Sequence, residues 1–158
     1  MRGLSSPTLV LVRPSFPWLT ATVVLVVDAA SKAIAQMAWT NRTVEVGPLR
    51  FHVTGNAGVS FSWLSSLPVL GLLLVVVSAV AVLSGAMLAR PGWASLGFGL
   101  LVGGAVGNLA DRVGLSSHHV VDFIGVGTLF VCNMADVAIT FGVIVLGVLL
   151  LRGQSMTR

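Results

Sequence analysis

Two aspartates stand alone in apolar runs: Asp122 in Val120-Val121-Asp122-Phe123-Ile124, and Asp136 in Met134-Ala135-Asp136-Val137-Ala138-Ile139. Paired carboxylates in low-dielectric surroundings push their titrations apart, so one keeps a proton while the other stays ionised. With water between them, such a pair can hydrolyse an amide. One carboxylate takes the water's proton; the other protonates the carbonyl and later the leaving nitrogen. No serine stands with a histidine and an acid in an arrangement that favours a covalent nucleophile. The spacing therefore points to a di-aspartyl site.

Other polar residues gather near these two: Asn56, Asn108, Asp111, Arg112, Asn133, Asp28 and Lys32. Each also has a plain structural reading. Asn133 and Asp136, three apart, look like a helix N-cap and its partner one turn in. Asn108, Asp111 and Arg112 read as a helix end closed by a salt bridge. Asp28 and Lys32, four apart, form a pair on one helix face, and with Asp111 they are read mainly as structural. His52, His118 and His119 read as polar loop residues, and Cys132 as a small apolar residue near a helix start.

The elements that must hold these groups follow from composition. Of 158 residues, 56% are apolar and 9% charged, against roughly 25% charged in an average soluble domain. Five acidic side chains cannot solvate a globule of this size. That excludes a disordered chain, a soluble enzyme and a coiled coil, and leaves a single integral membrane domain built of helices. The single cysteine excludes an internal disulfide. The net charge of +4 comes from scattered basic residues without aromatic interleaving, so no nucleic-acid surface is expected.

A membrane span takes roughly 20 apolar residues in a helix, and four segments qualify: 18–38, 68–89, 93–111 and 133–151. The first also resembles a cleavable leader, with Arg2, Arg13 and Ala33-Ile34-Ala35 in suitable places. The Asp28/Lys32 pair between its apolar run and the cut favours a retained span. An even number of spans puts both termini on one side. Arg2, Arg13, Arg90, Arg152 and Arg158 fall there against Arg42, Arg50 and Arg112 on the other, which places the termini in the cytoplasm. The connections 39–67 and 112–132 then face outward.

Within the first of these, residues 43–54 read as an outer β-ribbon, two short strands about Gly47-Pro48. Leu49, Phe51 and Val53 would share one face, and Arg50, His52 and Thr54 the other. Gly99, Gly103 and Gly107 recur every four residues, the pattern that lets helices approach closely in lipid. The tail from Arg152 onward reads as short, polar and loose.

Five blocks in order now carry a resemblance: Asp28-Ala29-Ala30-Ser31-Lys32; Asn56-Ala57-Gly58-Val59-Ser60-Phe61-Ser62; Gly107-Asn108-Leu109-Ala110-Asp111-Arg112; Val120-Val121-Asp122-Phe123-Ile124; and Asn133-Met134-Ala135-Asp136. From Trp18 to Leu151 the chain resembles bacterial lipoprotein signal peptidase, or signal peptidase II. The resemblance implies an all-α membrane fold of four transmembrane helices with a small extracytoplasmic β-cradle. It implies an aspartic endopeptidase of the inner membrane that cleaves prolipoprotein signal peptides before a diacylglyceryl-modified cysteine. Asp122 and Asp136 would be the catalytic pair, and Asn56, Asn108, Arg112 and Asn133 would bind substrate and orient the carboxylates.

No metal or other cofactor is implied, a monomer is the simplest state, and the partners are the lipidated precursor and membrane lipid. Two positions depart from the family pattern: His118 where glycine is usual, and Cys132 where phenylalanine is usual. They fall in loop or pocket-wall positions, where they bear on substrate preference. The loop from Val113 to Val121 is, with the ribbon, a candidate lid. The competing reading is a proton-coupled transporter, whose acids would run through the membrane depth rather than cluster at one end.

Overall fold

The computed structural model describes residues 16–56, 78–79, 81–90, 92–113, 119–127 and 129–157. In chain order these form α1 (Phe16–Trp39), β1 (Val44–Val46), β2 (Leu49–Asn56), a helical segment α2 (81–88), α3 (Trp93–Val113), β3 (Val120–Val126), β4 (Phe130–Cys132) and α4 (Met134–Leu151). Three of these helices, α1, α3 and α4, are long and apolar enough to cross a membrane. Their outward residues are large and apolar: Val23, Val26 and Ile34 on α1, and Phe141, Ile144 and Leu151 on α4. Such surfaces suit lipid rather than water. Of the predicted span 68–89, residues 78–79 and 81–88 are helical. Residues 68–77 and 80 lie outside the described residues.

α3 is the central helix, because its glycines open two of its faces. On one, a Cβ at Gly103 would lie 2.8 Å from the Ala21 carbonyl oxygen of α1, and one at Gly99 would lie 2.6 Å from that of Pro17. On the other, a Cβ at Gly104 would meet the Ala135 carbonyl oxygen of α4 at 2.5 Å. Gly107 leaves room for the Asp28 carboxylate, 2.7 Å from where its Cβ would be. The every-fourth glycine stripe thus faces α1, and Gly97 and Gly104 face α4. Below this polar level the helices close on Ala21, Ala86, Ala89, Phe98 and Val102.

The sheet is larger than the expected ribbon. It has four antiparallel strands in the order β1-β2-β3-β4. β2 runs two residues beyond the predicted 43–54 ribbon, to Asn56. A register shift between Phe51 and Thr54 breaks the two-faced alternation predicted there. β3 places Thr54 opposite Asp122 and Asn56 opposite Val120, so Asp122 stands on a strand. The sheet leans on the C-terminal end of α1, where the Trp39 ring lies 5.1 Å from Phe51 and 6.1 Å from Phe123. Most of the proposed lid loop, residues 114–118 and His118 with it, lies outside the described residues. His52 stands on β2, not in a loop, and His119 packs beside Gly55 just before β3.

The tail is also tied down, contrary to its reading as loose. The Arg90 backbone N–H donates to the Met156 carbonyl at 3.0 Å, and Arg90 Nε donates to the Thr157 carbonyl at 3.1 Å. Met156 packs on the helical core. Its polar composition hid this, since the tail contributes only backbone carbonyls to these bonds.

The glycine packing sets a testable contrast. Gly103→Ala forces its methyl against α1 backbone and should destabilise by about 1–3 kcal/mol. Gly147→Ala enters open space on α4 and should stabilise by about 0.5–1 kcal/mol through helix propensity. Thermal unfolding in detergent checks both, and equal behaviour of the two variants would contradict the packing.

Candidate functional site

The site begins at the first residue of a helix cap. Asn133 precedes α4 in an extended conformation, with φ −130° and ψ −176°. Its Oδ1 accepts the Asp136 backbone N–H at 3.0 Å, and Asp136 Oδ2 accepts the Asn133 backbone N–H at 3.2 Å. This is a capping box, as the three-residue spacing suggested. It also fixes the amide's orientation. Oδ1 must face the Asp136 N–H, which can only donate, so Nδ2 faces the other way. There it donates to Asp122 Oδ1 at 2.7 Å and to Asn108 Oδ1 at 3.0 Å. Asn133 is wholly buried, and all its side-chain hydrogen-bonding groups are used.

The same logic orients Asn108, near the end of α3. Lys32 Nζ donates to Asn108 Oδ1 at 3.4 Å, and an ammonium cannot accept. The oxygen therefore faces α1, and Nδ2 is left to donate to Asp136 Oδ1 at 2.7 Å. Asp122 Oδ2 accepts from Asn56 Nδ2 at 2.8 Å, across 66 residues of chain. Thus Asn56, Asp122, Asn133, Asn108 and Asp136 form one continuous hydrogen-bonded chain, drawn from β2, β3, the α4 cap, α3 and α4.

Asp122 is almost fully buried, whereas Asp136 is half-buried. Burial pushes the Asp122 carboxyl above the usual aspartate value; the Asn56 hydrogen bond opposes this and the charge of Asp136 adds to it. Burial, with the charges of Asp136 and Asp122, likewise pushes the Cys132 thiol up.

Behind this chain lies an ion cluster. Lys32 Nζ sits 2.6 Å from Asp28 Oδ2 and 2.8 Å from Asp111 Oδ2. The second oxygen of Asp28 accepts the Ala135 backbone N–H at 2.9 Å. Asp111 Oδ2 also accepts the Val121 backbone N–H at 3.1 Å. The expected salt bridge at the end of α3 is thus replaced: Asp111 pairs with Lys32, and the exposed Arg112 donates from its guanidinium to the Asn108 carbonyl at 3.2 Å. Eight of the nine polar residues singled out in the sequence therefore meet through side chains, and Arg112 joins through the backbone of Asn108. The backbone donors of Val121 and Ala135 were missed, because no side-chain type announces them.

The profile described as signal peptidase (SPase) II matches residues 20–152. The chain is 38% identical over 149 residues to a lipoprotein signal peptidase of Rhodococcus jostii (strain RHA1), covering 86% of this chain and 72% of that one. It is 38% identical over 142 residues to one of Pelotomaculum thermopropionicum, covering 87% and 92%. A bacterial membrane enzyme solved by the in meso method at 1.9 Å resolution superposes with a TM-score of 0.67 at 28% identity, covering 85% of this chain and 92% of the other. With the profile spanning nearly the whole described bundle, the chain belongs to the signal peptidase II family.

Proposed function

We propose that the protein cleaves the signal peptide of prolipoproteins before a diacylglyceryl-modified cysteine, using Asp122 and Asp136 on a water molecule. The observation that carries this reading is Asn133, whose side chain donates to the Asp122 carboxylate and caps the Asp136 backbone N–H, while its own backbone N–H donates to the Asp136 carboxylate. Asp136 lies at the positive end of the α4 dipole, where a negative charge is favoured, and takes the role of base. Asp122, buried and raised, holds the proton.

The steps balance. Asp136 takes a proton from water as the oxygen attacks the scissile carbonyl carbon, and Asp122 gives its proton to the carbonyl oxygen. The resulting gem-diol then returns a proton to Asp122 as the carbon–nitrogen bond breaks and Asp136 protonates the leaving nitrogen. The pair ends as it began. Asn56, Asn108, Asn133 and Arg112 hold the substrate backbone and the carboxylates.

In this reading the chain has four spans, the second through 68–89, with both termini cytoplasmic and the site near the outer face. The substrate's apolar signal helix and lipid bring the scissile bond to that depth, and a monomer suffices. A proton relay fits less well: Asp28, Asp111, Asp122 and Asp136 gather in one cluster, leaving the rest of the described helices without acids.

Asp122→Asn or Asp136→Asn should lower cleavage of a diacylglyceryl-modified precursor by at least about 10³-fold while the protein still inserts. The unmodified precursor should remain uncut by the parent enzyme. Normal turnover in either variant would refute the pair. The pH profile gives a second test. Activity is expected to fall as pH rises through the raised Asp122 value and its proton is lost. Asn56→Ala removes a donor that favours the ionised form, so it should move that alkaline limb to higher pH. A limb that stays in place or moves down would contradict the assignment.

A further inference from the structure

We infer that Lys32, Asp28 and Asp111 are positioning residues that set the spacing of Asp122 and Asp136, by gripping the backbone immediately before each one. The inference rests on the two-carboxylate reading and adds a function for groups read until now as structural.

The Lys32 ammonium has three N–H donors, and they point to Asp28, Asp111 and Asn108. A tie between α1 and α3 would need only one of these, and burying ions is costly unless every partner is met. The remaining acceptor capacity is what distinguishes this cluster. Asp28 Oδ1 takes the N–H of Ala135, the residue before Asp136. Asp111 Oδ2 takes the N–H of Val121, the residue before Asp122. One ammonium thus holds two carboxylates, each hooked to the chain one residue short of a reactive aspartate. Through Asn108 it also turns an amide donor toward Asp136.

β3 and α4 already meet through β4 and Asn133; the ion cluster adds a second tie, from α1 and α3, to the backbone just before each aspartate. The N–H of Ala135 lies in the first turn of α4, where backbone donors lack helical partners. Rigid planar peptides transmit the grip to the neighbouring Cα. A misplacement of about 1 Å in such a pair costs on the order of 100-fold in rate.

The two carboxylates differ in a way that makes the inference testable. Both bonds to Asp111 end on a single oxygen, so an amide there can keep them. Asp28 uses one oxygen for each partner, so an amide there must turn its NH₂ on either the ammonium or the Ala135 N–H. The test uses full-length Asp111→Asn, Asp111→Leu, Asp28→Asn and Lys32→Met in detergent. Folded protein is counted by size-exclusion and thermal melting, and kcat, KM and the pH profile are measured on a diacylglyceryl-modified precursor.

Per folded molecule, Asp111→Leu, Asp28→Asn and Lys32→Met should each lose at least about 30-fold in kcat, with KM within about threefold and a displaced pH profile. Asp111→Asn should recover kcat to within about threefold. Folded Asp111→Leu with the parent kcat and pH profile would overturn the inference, as would Asp111→Asn and Asp111→Leu falling alike with the profile unmoved. If the Asp28 or Lys32 variant fails to fold, the Asp111 pair decides alone. Asp122→Asn is run alongside: if it is dead while folded Asp111→Leu is normal, only the positioning role fails, whereas an active Asp122→Asn overturns both readings.

Discussion

An amide that must satisfy a helix N-terminus has only one way to face, and this constraint on Asn133 organises the site. Its oxygen is committed to the first turn of α4, so its two N–H groups are committed to Asp122 and Asn108. Helix capping, sheet placement and α3 orientation are therefore settled by the same side chain. In a protein with so little water around it, an unmet polar atom costs several kcal/mol. The chain meets that demand by joining its polar residues end to end, and the junctions are where chemistry can occur.

The apolar architecture exists to bring those residues close. Side chains of Asp28 on α1 and Asn108 on α3 are short. They reach α4 only because Gly103, Gly104 and Gly107 let the three backbones approach. α1 then continues past the polar level, so that Trp39 can support Phe51 and Phe123. That contact seats the sheet over the helical ends and lowers Asp122 into the bundle.

Several of these features were legible in the sequence for physical reasons. Spacing of four on a helix announced the Asp28/Lys32 pair, spacing of three announced the Asn133/Asp136 box, and glycine every fourth residue announced a close helix crossing. β3 was harder, since a short apolar run such as Val-Val-Asp-Phe-Ile has no period that separates strand from helix. Its partner strand lies far upstream, and pairing at that range leaves no local mark. The partner of Asp111 was misread because Arg112 is adjacent in sequence, whereas Lys32 is adjacent only once α1 and α3 have packed. The tail's anchoring at Arg90 uses tail carbonyls that every residue carries, met by the Arg90 backbone N–H and its guanidinium.

The proposal that Asp122 holds the proton of the pair is open to direct test, because infrared difference spectroscopy reads a protonated carboxyl. Titrating the detergent-solubilised protein should show a protonated carboxyl band that disappears at a pH above the ordinary aspartate range. The band should be absent in Asp122→Asn. In Asp136→Asn it should titrate at lower pH, because the charge that helps raise Asp122 has gone. A band that survives Asp122→Asn unchanged, or one indifferent to Asp136→Asn, would contradict the account.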